Sequence, residues 1–455
     1  VGGGPGGYVA AIRAAQLGKS VAIVERDALG GVCLNWGCIP TKSLLHDSEV
    51  LHTVKNADKH GIKISGFTVD FKATVKRSRQ VAQRLSRGVE YLMKKNGVTH
   101  VKGSGRLKSR EEVEVTGSSG ETLVLQAGYI ILATGARNLE IPGLQVDGKR
   151  TLSSREAMIL EKVPGRMIII GAGAIGVEFA SFYHEYGTQV DLVEMLPTVL
   201  PQEDDDISMM LARLFDRRGI AVHTSTRVEK IDSLKTKVKV HVSSDGKSEI
   251  LEGDVALVAV GVQGNVEALG LEEAGVTVEK GWIKVNEVCQ TTKEGIYAIG
   301  DVIGPPWLAH VASAEGRVAV EHLSGKNPQP IDYHSIPACT YCQPQVASIG
   351  LTEKAALQAG HDINVGKFPM RASGRALASG ESDGMVKIIF DAKYGELLGC
   401  HIIGSGATEL IAEMGVAKTL ETTHEEILRT IHAHPTLSEA LMEAVAAAFG
   451  RPIHI

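Results

Sequence analysis

The sequence predicts an α/β protein built around two dinucleotide-binding units. Three observations predict it: a glycine-rich turn appears twice, each copy is followed by a helix pattern and a short strand ending in an acid, and one fixed offset relates the copies. The first copy reads "VGGGPGGYVAAIRAAQLGKSVAIVERD", where Gly2, Gly4 and Gly7 fit G-x-G-x-x-G. Residues 8–17 then form an alanine-rich helical pattern, and residues 20–24 a buried strand leading to Glu25. The first glycine permits the turn, the second lets a pyrophosphate reach backbone N–H groups at the helix N-terminus, and the third lets helix and strand pack closely. The second copy, "MIIIGAGAIGVEFASFYHEYGTQVDLVEM", supplies Gly171, Gly173 and Gly176 and ends at Glu194. Each acid lies eighteen residues past its third glycine, and both first glycine and acid are displaced by 169 positions. Glu25 and Glu194 are placed to accept ribose hydroxyls. Carboxylates there repel a 2′-phosphate, and Glu194, with no arginine close by, points to NAD at the second site.

Composition bounds the rest. A chain of 455 residues with 44% hydrophobic and 22% charged residues buries several cores, and its formal net charge of −5 offers no basic field for nucleic acid or an anionic membrane. No apolar run approaches the ~18 residues of a membrane span, and no charged segment followed by a hydrophobic one opens the chain. The expected setting is cytoplasmic, or the mitochondrial matrix in a eukaryote. The chain starts one residue before the first glycine motif, so most of the preceding strand and any targeting peptide are expected outside it.

Two further strings, "YIILATGA" (129–136) and "GIYAIGDVIG" (295–304), read as buried strands ending in glycine. Asp301, directly after such a strand, needs a hydrogen-bonding partner, either a ligand hydroxyl or a helix N-terminus that it caps.

The six cysteines, 33, 38, 289, 339, 342 and 400, are too few and scattered for a disulfide scaffold. Cys33 and Cys38 stand close together in "GGVCLNWGCIPTKSLL". In a straight helix they would be about 7.5 Å apart along the axis, beyond the ~7 Å reach of a disulfide, so the backbone must bend; Asn35 and Gly37 supply the means. A helix with Pro40 in its first turn follows, and its dipole would favour a thiolate at its start. A buried structural pair or half a metal site are the alternatives, but no further ligands lie nearby. "CTYC" (339–342) raises zinc or thioredoxin-like chemistry, against the plainer reading of an irregular segment entering a strand.

These strings, with "ATGA", "AIGD" and the late "HAHPTLSEA" (432–440), occur in one order over nearly the whole chain. Together they resemble the pyridine nucleotide-disulfide oxidoreductase family. The resemblance implies two Rossmann-like domains, for FAD and NAD, plus a C-terminal α+β dimerisation domain. It divides the chain into 1–140 (FAD domain, first part), 141–262 (NAD domain), 263–335 (returning to the FAD domain) and 336–455 (dimerisation). By it, Gly2, Gly4, Gly7, Glu25, Lys42, Thr134, Gly135, Asp301 and Ala309 hold FAD, while Gly171, Gly173, Gly176, Glu194 and Gly261 hold NAD. Cys33 matches the interchange thiol, Cys38 the charge-transfer thiol, Lys42 the lysine beside the reactive flavin nitrogen, and Glu178 its ion-pair partner.

A dithiol reaction needs a base, because thiols near pKa 8.5 are mostly protonated at neutral pH. His434 precedes Pro435, a candidate cis peptide, and a helix starting near Thr436 could aim Glu439 back at the imidazole. The resemblance makes His434 and Glu439 the base dyad, reaching the cysteines of a second copy in a homodimer, and leaves His432 a structural neighbour. The implied reaction oxidises protein-bound dihydrolipoamide through a Cys33–Cys38 disulfide and FAD, reducing NAD+ to NADH. The implied partner is the lipoyl domain of an acyltransferase or of a glycine-cleavage carrier, within 2-oxo acid dehydrogenase or glycine cleavage complexes. Glu194 disfavours members that reduce glutathione disulfide, and "FGRPIHI" lacks the cysteine pair of those that reduce mercuric ion. "VGVQGN" (260–265) departs from the Arg-x-Pro common at that position. A nucleotide-binding scaffold without turnover is the rival from another class.

Overall fold

The first glycine turn opens into the helix Pro5–Gln16, three residues earlier than the sequence pattern suggests. Pro5 accounts for the difference, since its fixed φ and missing N–H suit the first helical position. The computed structural model, which describes residues 1–455, packs this small-residue helix on the helix Ala309–Leu323. The strand predicted over 20–24 is Ala22–Glu25, paired in parallel with Thr99–Lys102. Val1 and Gly2 act as a fragment of central strand. The Gly2 N–H donates to Val24 O at 2.8 Å, and Val1 bonds to Ile131 O at 2.7 Å and accepts from Ala133 N at 2.7 Å. Beyond them, the two apolar strings form the strands Ile130–Leu132 and Ile296–Ala298, which pair in parallel. The sheet is therefore completed by a segment remote in sequence. An antiparallel three-stranded sheet, Ser104–Leu107, Glu112–Thr116 and Thr122–Gln126, flanks it.

The second glycine turn belongs to a five-stranded parallel sheet, ordered Ala221–His223, Gln189–Val193, Arg166–Ile170, Val255–Val258, Thr151–Leu152. Met167, Ile168 and Ile169 are fully buried, which is why this strand is one apolar run rather than an alternating one. A right-handed strand–helix–strand connection is the rule for such parallel pairs, and the helix Ala174–Glu185 serves it here.

The C-terminal unit is an antiparallel sheet ordered Ala338–Thr340, Gln345–Gly350, Leu397–Gly404, Met385–Asp391, Ile363–Pro369. The helices Ala407–Thr419 and Glu439–Ala448 pack on it. Cys339 lies in the first strand, and Cys342 is fully buried with its thiol donating to Pro344 O at 3.0 Å. The run "CTYC" is not an irregular segment entering one strand: it begins inside the strand Ala338–Thr340 and leads into the turn before Gln345–Gly350. No helix is long and apolar enough to cross a membrane.

One buried charge joins the last two units. Lys387 Nζ, on a side chain 2% exposed, contacts Asp204, Asp206 and Glu353 at 2.7, 2.6 and 2.6 Å. Burial opposes its charge, but the three carboxylates overcome this and hold the ammonium above the ordinary lysine range. Lys387→Met leaves Asp204 buried without its cation, so the expected loss is about 3–5 kcal/mol of stability. Chemical denaturation at fixed protein concentration measures it; an unchanged midpoint would exclude a role for the cluster in joining the units.

Candidate active site

Cys33 and Cys38 are brought together by a break between two helices. Cys33 lies in the helix Gly31–Trp36; Gly37 interrupts it with φ −145° and ψ −117°, and the helix Cys38–Lys55 begins at once. Pro40 falls in the first turn of that second helix, as predicted. Asn35 does not make the bend. It is helical and buried, and its amide donates to Leu29 O at 3.1 Å and Gly31 O at 3.0 Å, bracing the short helix on which Cys33 rides.

The two thiols act on each other, and this dominates their titration. The neighbouring Cys33 thiol brings Cys38 down to about 7 despite burial; the Lys42 charge and backbone donors at the helix start assist. Cys33 is pushed far up by its Cys38 neighbour and by burial. One thiolate forms easily and the second is resisted.

Lys42, one helical turn past Cys38, reaches Glu178 Oε1 and Oε2 at 2.8 and 2.9 Å. Glu178 is buried on the helix Ala174–Glu185, so this ion pair spans the two glycine-turn units. It is not the exposed helix-face charge such residues usually are. Tyr341, from the C-terminal unit, places its ring 4.4 Å from Lys42 Nζ.

The space around each glycine of the two turns shows what it serves. At Gly2 and Gly7 it would strike Ala133 O at 2.1 Å and Gly2 O at 1.9 Å; at Gly171 and Gly176, Ala259 O at 2.4 Å and Gly171 O at 1.9 Å. These four glycines are required by protein packing. The middle glycines differ: a Cβ on Gly4 meets nothing closer than 3.9 Å and one on Gly173 meets nothing within 4 Å. Both face free space, as a turn that receives a pyrophosphate must. The acids are also built alike. Glu25 accepts from the N–H groups of Gly3 and Asp27 at 2.6 and 2.8 Å, and Glu194 from those of Ala172 and Leu196 at 2.7 and 2.9 Å. The repeat extends to the orientation of both carboxylates.

Of the other cofactor candidates, Gly135 and Gly261 both have positive φ and open space beside them. Thr134 is committed to protein, its hydroxyl donating to Asn265 O at 2.9 Å while the Asn265 amide returns a bond to Thr134 O. Ala309 opens the helix Ala309–Leu323. Asp301 caps no helix: it lies inside the short turn Gly300–Ile303, and its carboxylate takes no hydrogen bond from protein. Burial, with the charge of Glu315 nearby, pushes it up to about 6. A donor hydroxyl would restore its ionised form, so flavin affinity is expected to weaken as pH falls through about 6 and Asp301 protonates. Fluorescence titration of the apoprotein with FAD between pH 5 and 7.5 checks this, and Asp301→Asn should flatten the profile.

His434 is 79% exposed and its Nδ1 lies 2.9 Å from Glu439 Oε1. Its peptide bond to Pro435 is cis. The helix begins at Glu439 rather than near Thr436, and the Thr436 N–H donates to Glu439 Oε2 at 2.8 Å. That bond, then the imidazole, keeps the carboxyl below its usual range. His432 bonds Glu413 at 2.8 Å and is a structural neighbour.

Sequence reasoning missed several residues. Glu315 accepts from Gly300 N at 2.6 Å and Tyr333 OH at 2.9 Å; its place among Val311, Ala312 and Ala319 on one helical face was the available signal. Arg79 and Arg155 each lie 4.0 Å from the ring of Trp36, between the cysteines. Nothing local marks them, or Tyr341.

Residues 1–316 match the pyridine nucleotide-disulphide oxidoreductase family and residues 336–445 match its dimerisation domain. The chain belongs to this family. As a member of the pyridine nucleotide-disulphide oxidoreductases it is an enzyme that uses FAD and NAD, folded as two nucleotide-binding domains and a dimerisation domain. It is 47% identical over 471 residues to a dihydrolipoyl dehydrogenase of Rhizobium etli, covering 100% of this chain and 98% of that one. It is 45% identical to a dihydrolipoyl dehydrogenase of Bacillus subtilis, with 100% and 98% covered, and 42% identical to a mitochondrial dihydrolipoyl dehydrogenase of Pisum sativum, with 100% and 92% covered. Among solved family structures, LpdA from Mycobacterium tuberculosis superposes with a TM-score of 0.91 at 29% identity, covering 98% of each chain. The HOCl-induced flavoprotein disulfide reductase RclA from Escherichia coli superposes with a TM-score of 0.86 at 27% identity, again over 98% of each.

Proposed function

We propose that the enzyme oxidises protein-bound dihydrolipoamide to lipoamide and reduces NAD+ to NADH, as a homodimer whose two active sites each combine residues of both subunits. The observation that carries this is the placing of Cys33 and Cys38 on either side of the Gly37 break, beside the Lys42–Glu178 ion pair. In the oxidised enzyme, His434 of one subunit, oriented by Glu439, takes a proton from a substrate thiol. The substrate sulfur bonds to Cys33, the Cys33–Cys38 bond breaks, and Cys38 leaves as a thiolate stabilised by Lys42. Cys33 leaves with that proton returned by His434, as the second substrate thiol closes the lipoyl disulfide and gives its own proton to His434, which ends the step protonated. The products are lipoamide, a Cys33 thiol and a Cys38 thiolate, which is the pattern expected when Cys33 is pushed up and Cys38 down. FAD would be held by Gly4, Glu25, Lys42 and Asp301 and would supply an acceptor for that electron pair, and NAD+ would be held by Gly173 and Glu194 as the final acceptor.

The same reading divides the chain into an FAD domain (1–140 and 263–335), an NAD domain (141–262) and a dimerisation domain (336–455). Exposed apolar side chains on the last, Ile431 at 97% among them, support a second copy there. It places the enzyme with the lipoyl domain of an acyltransferase or glycine-cleavage carrier, in the cytoplasm, or in the mitochondrial matrix of a eukaryote. The test is nicotinamide reduction by dihydrolipoamide with NAD and then NADP, with oxidised glutathione plus reduced nicotinamide as control. Turnover with NAD and little with NADP is expected; efficient glutathione reduction would overturn the substrate assignment.

A further inference from the structure

The Lys42 ammonium is enclosed by groups from two other parts of the fold. Glu178 holds it at 2.8 and 2.9 Å, and the Tyr341 ring faces it at 4.4 Å. Tyr341 also touches the carboxylate, because its backbone N–H donates to Glu178 Oε1 at 2.9 Å. Two residues on, Gln343 N–H donates to Ser181 Oγ at 3.1 Å on the same helix. Two main-chain bonds therefore dock this turn, and the ring's position over Lys42 follows from the docking. The Tyr341 hydroxyl makes no hydrogen bond to protein, so the aromatic face is the part in use. Burial, with Cys339 nearby, pushes the phenol up to about 12, and the ring stays neutral over any working pH.

We propose that Tyr341 is a positioning residue for the redox reaction, its ring pinning the Lys42 ammonium against Glu178 and so fixing the positive charge that Cys38 and the flavin face. The inference rests on the reading of Cys33 and Cys38 as the redox pair. A lysine carries its charge on a flexible four-carbon stem, and the Lys42 side chain is 30% exposed, so Glu178 alone leaves it room to turn toward water. A ring under the ammonium removes that freedom, through its quadrupole and by excluding solvent. The charged and titratable groups facing Cys38 are Cys33, Lys42, Glu178 and Tyr341, while Cys339 faces the Lys42–Glu178 pair. Lys42 is the cation among them, so its placement adds to the stabilisation that Cys33 gives the Cys38 thiolate.

Tyr341→Leu removes the ring and keeps both main-chain bonds, and Tyr341→Phe keeps the ring. The readouts are the Cys38 thiolate pKa, from ultraviolet titration of the reduced apoprotein, and the flavin midpoint potential of the holoenzyme. Tyr341→Leu is expected to raise the thiolate pKa by roughly half a unit and to make the potential more negative, while Tyr341→Phe leaves both unchanged. In a Lys42→Met background, Tyr341→Leu should add no further shift. A shift that persists there, or one shared by Tyr341→Phe, makes the role merely structural and overturns the proposal. No shift in Tyr341→Leu, when Lys42→Met alone gives one, does the same. Lys42→Met without effect would instead remove the site reading itself. If Tyr341→Leu does not accumulate, Tyr341→Met carries the same comparison.

Discussion

Cys33→Ser is expected to lose dihydrolipoamide oxidation by ~10³-fold or more, while the same protein keeps its FAD and its flavin is still reduced by NADH. A hydroxyl cannot form the disulfide that the substrate attacks, so the exchange half of the cycle has no acceptor. The nicotinamide half is untouched: Gly173 and Glu194 lie on a different unit from Cys33, and the Lys42–Glu178 pair does not involve the sulfur of Cys33. Cys38→Ser should behave differently. It keeps a thiol at position 33 but has no partner with which to form the disulfide that dihydrolipoamide reduces, so dihydrolipoamide oxidation again fails while Cys33 remains open to alkylation. Steady-state assays with dihydrolipoamide and stopped-flow reduction by NADH separate the two halves. Full turnover by Cys33→Ser would show that the sulfur exchanged with substrate lies elsewhere.

How far the sequence went depended on whether a constraint was local. Both glycine turns were legible because their demands are covalent and short-range: a Cβ at Gly7 or Gly176 would strike a carbonyl oxygen five residues back at 1.9 Å, and no remote residue can relieve that. The fixed spacing to Glu25 and Glu194 carried the same information to the end of the next strand. The bend between Cys33 and Cys38 was legible from reach alone, but its cause was assigned half wrongly. Asn35 was read as conformationally tolerant, whereas the fold uses its amide to brace the short helix at Leu29 and Gly31. Contacts that cross units left no local mark. Tyr341 meets Lys42 across about 300 positions of chain, and Lys387 meets Asp204 across 183. Glu315 was the intermediate case, since a lone acid on an apolar helical stripe announces burial without naming its partner.

Mixing Cys33→Ser subunits with His434→Gln subunits is expected to restore activity that neither variant has alone. His434 is 79% exposed, its single hydrogen bond within the chain goes to Glu439, and its opposite ring nitrogen is free to face another molecule. If that molecule is the second subunit, each active site takes its cysteines from one chain and its base from the other. A two-fold dimer of one variant with the other then holds one site with both defects and one with none. After unfolding and refolding of an equal mixture, random pairing gives about half mixed dimers, so about a quarter of the wild-type rate should return. His434→Gln alone should fall by roughly 10²–10⁴-fold, the span typical of a lost general base, and should recover partly at high pH, where the substrate thiol ionises without help. Refolded homodimers of each variant are the controls. A mixture no more active than its parents would mean that His434 serves the cysteines of its own chain, and the homodimer would no longer be needed to complete the site.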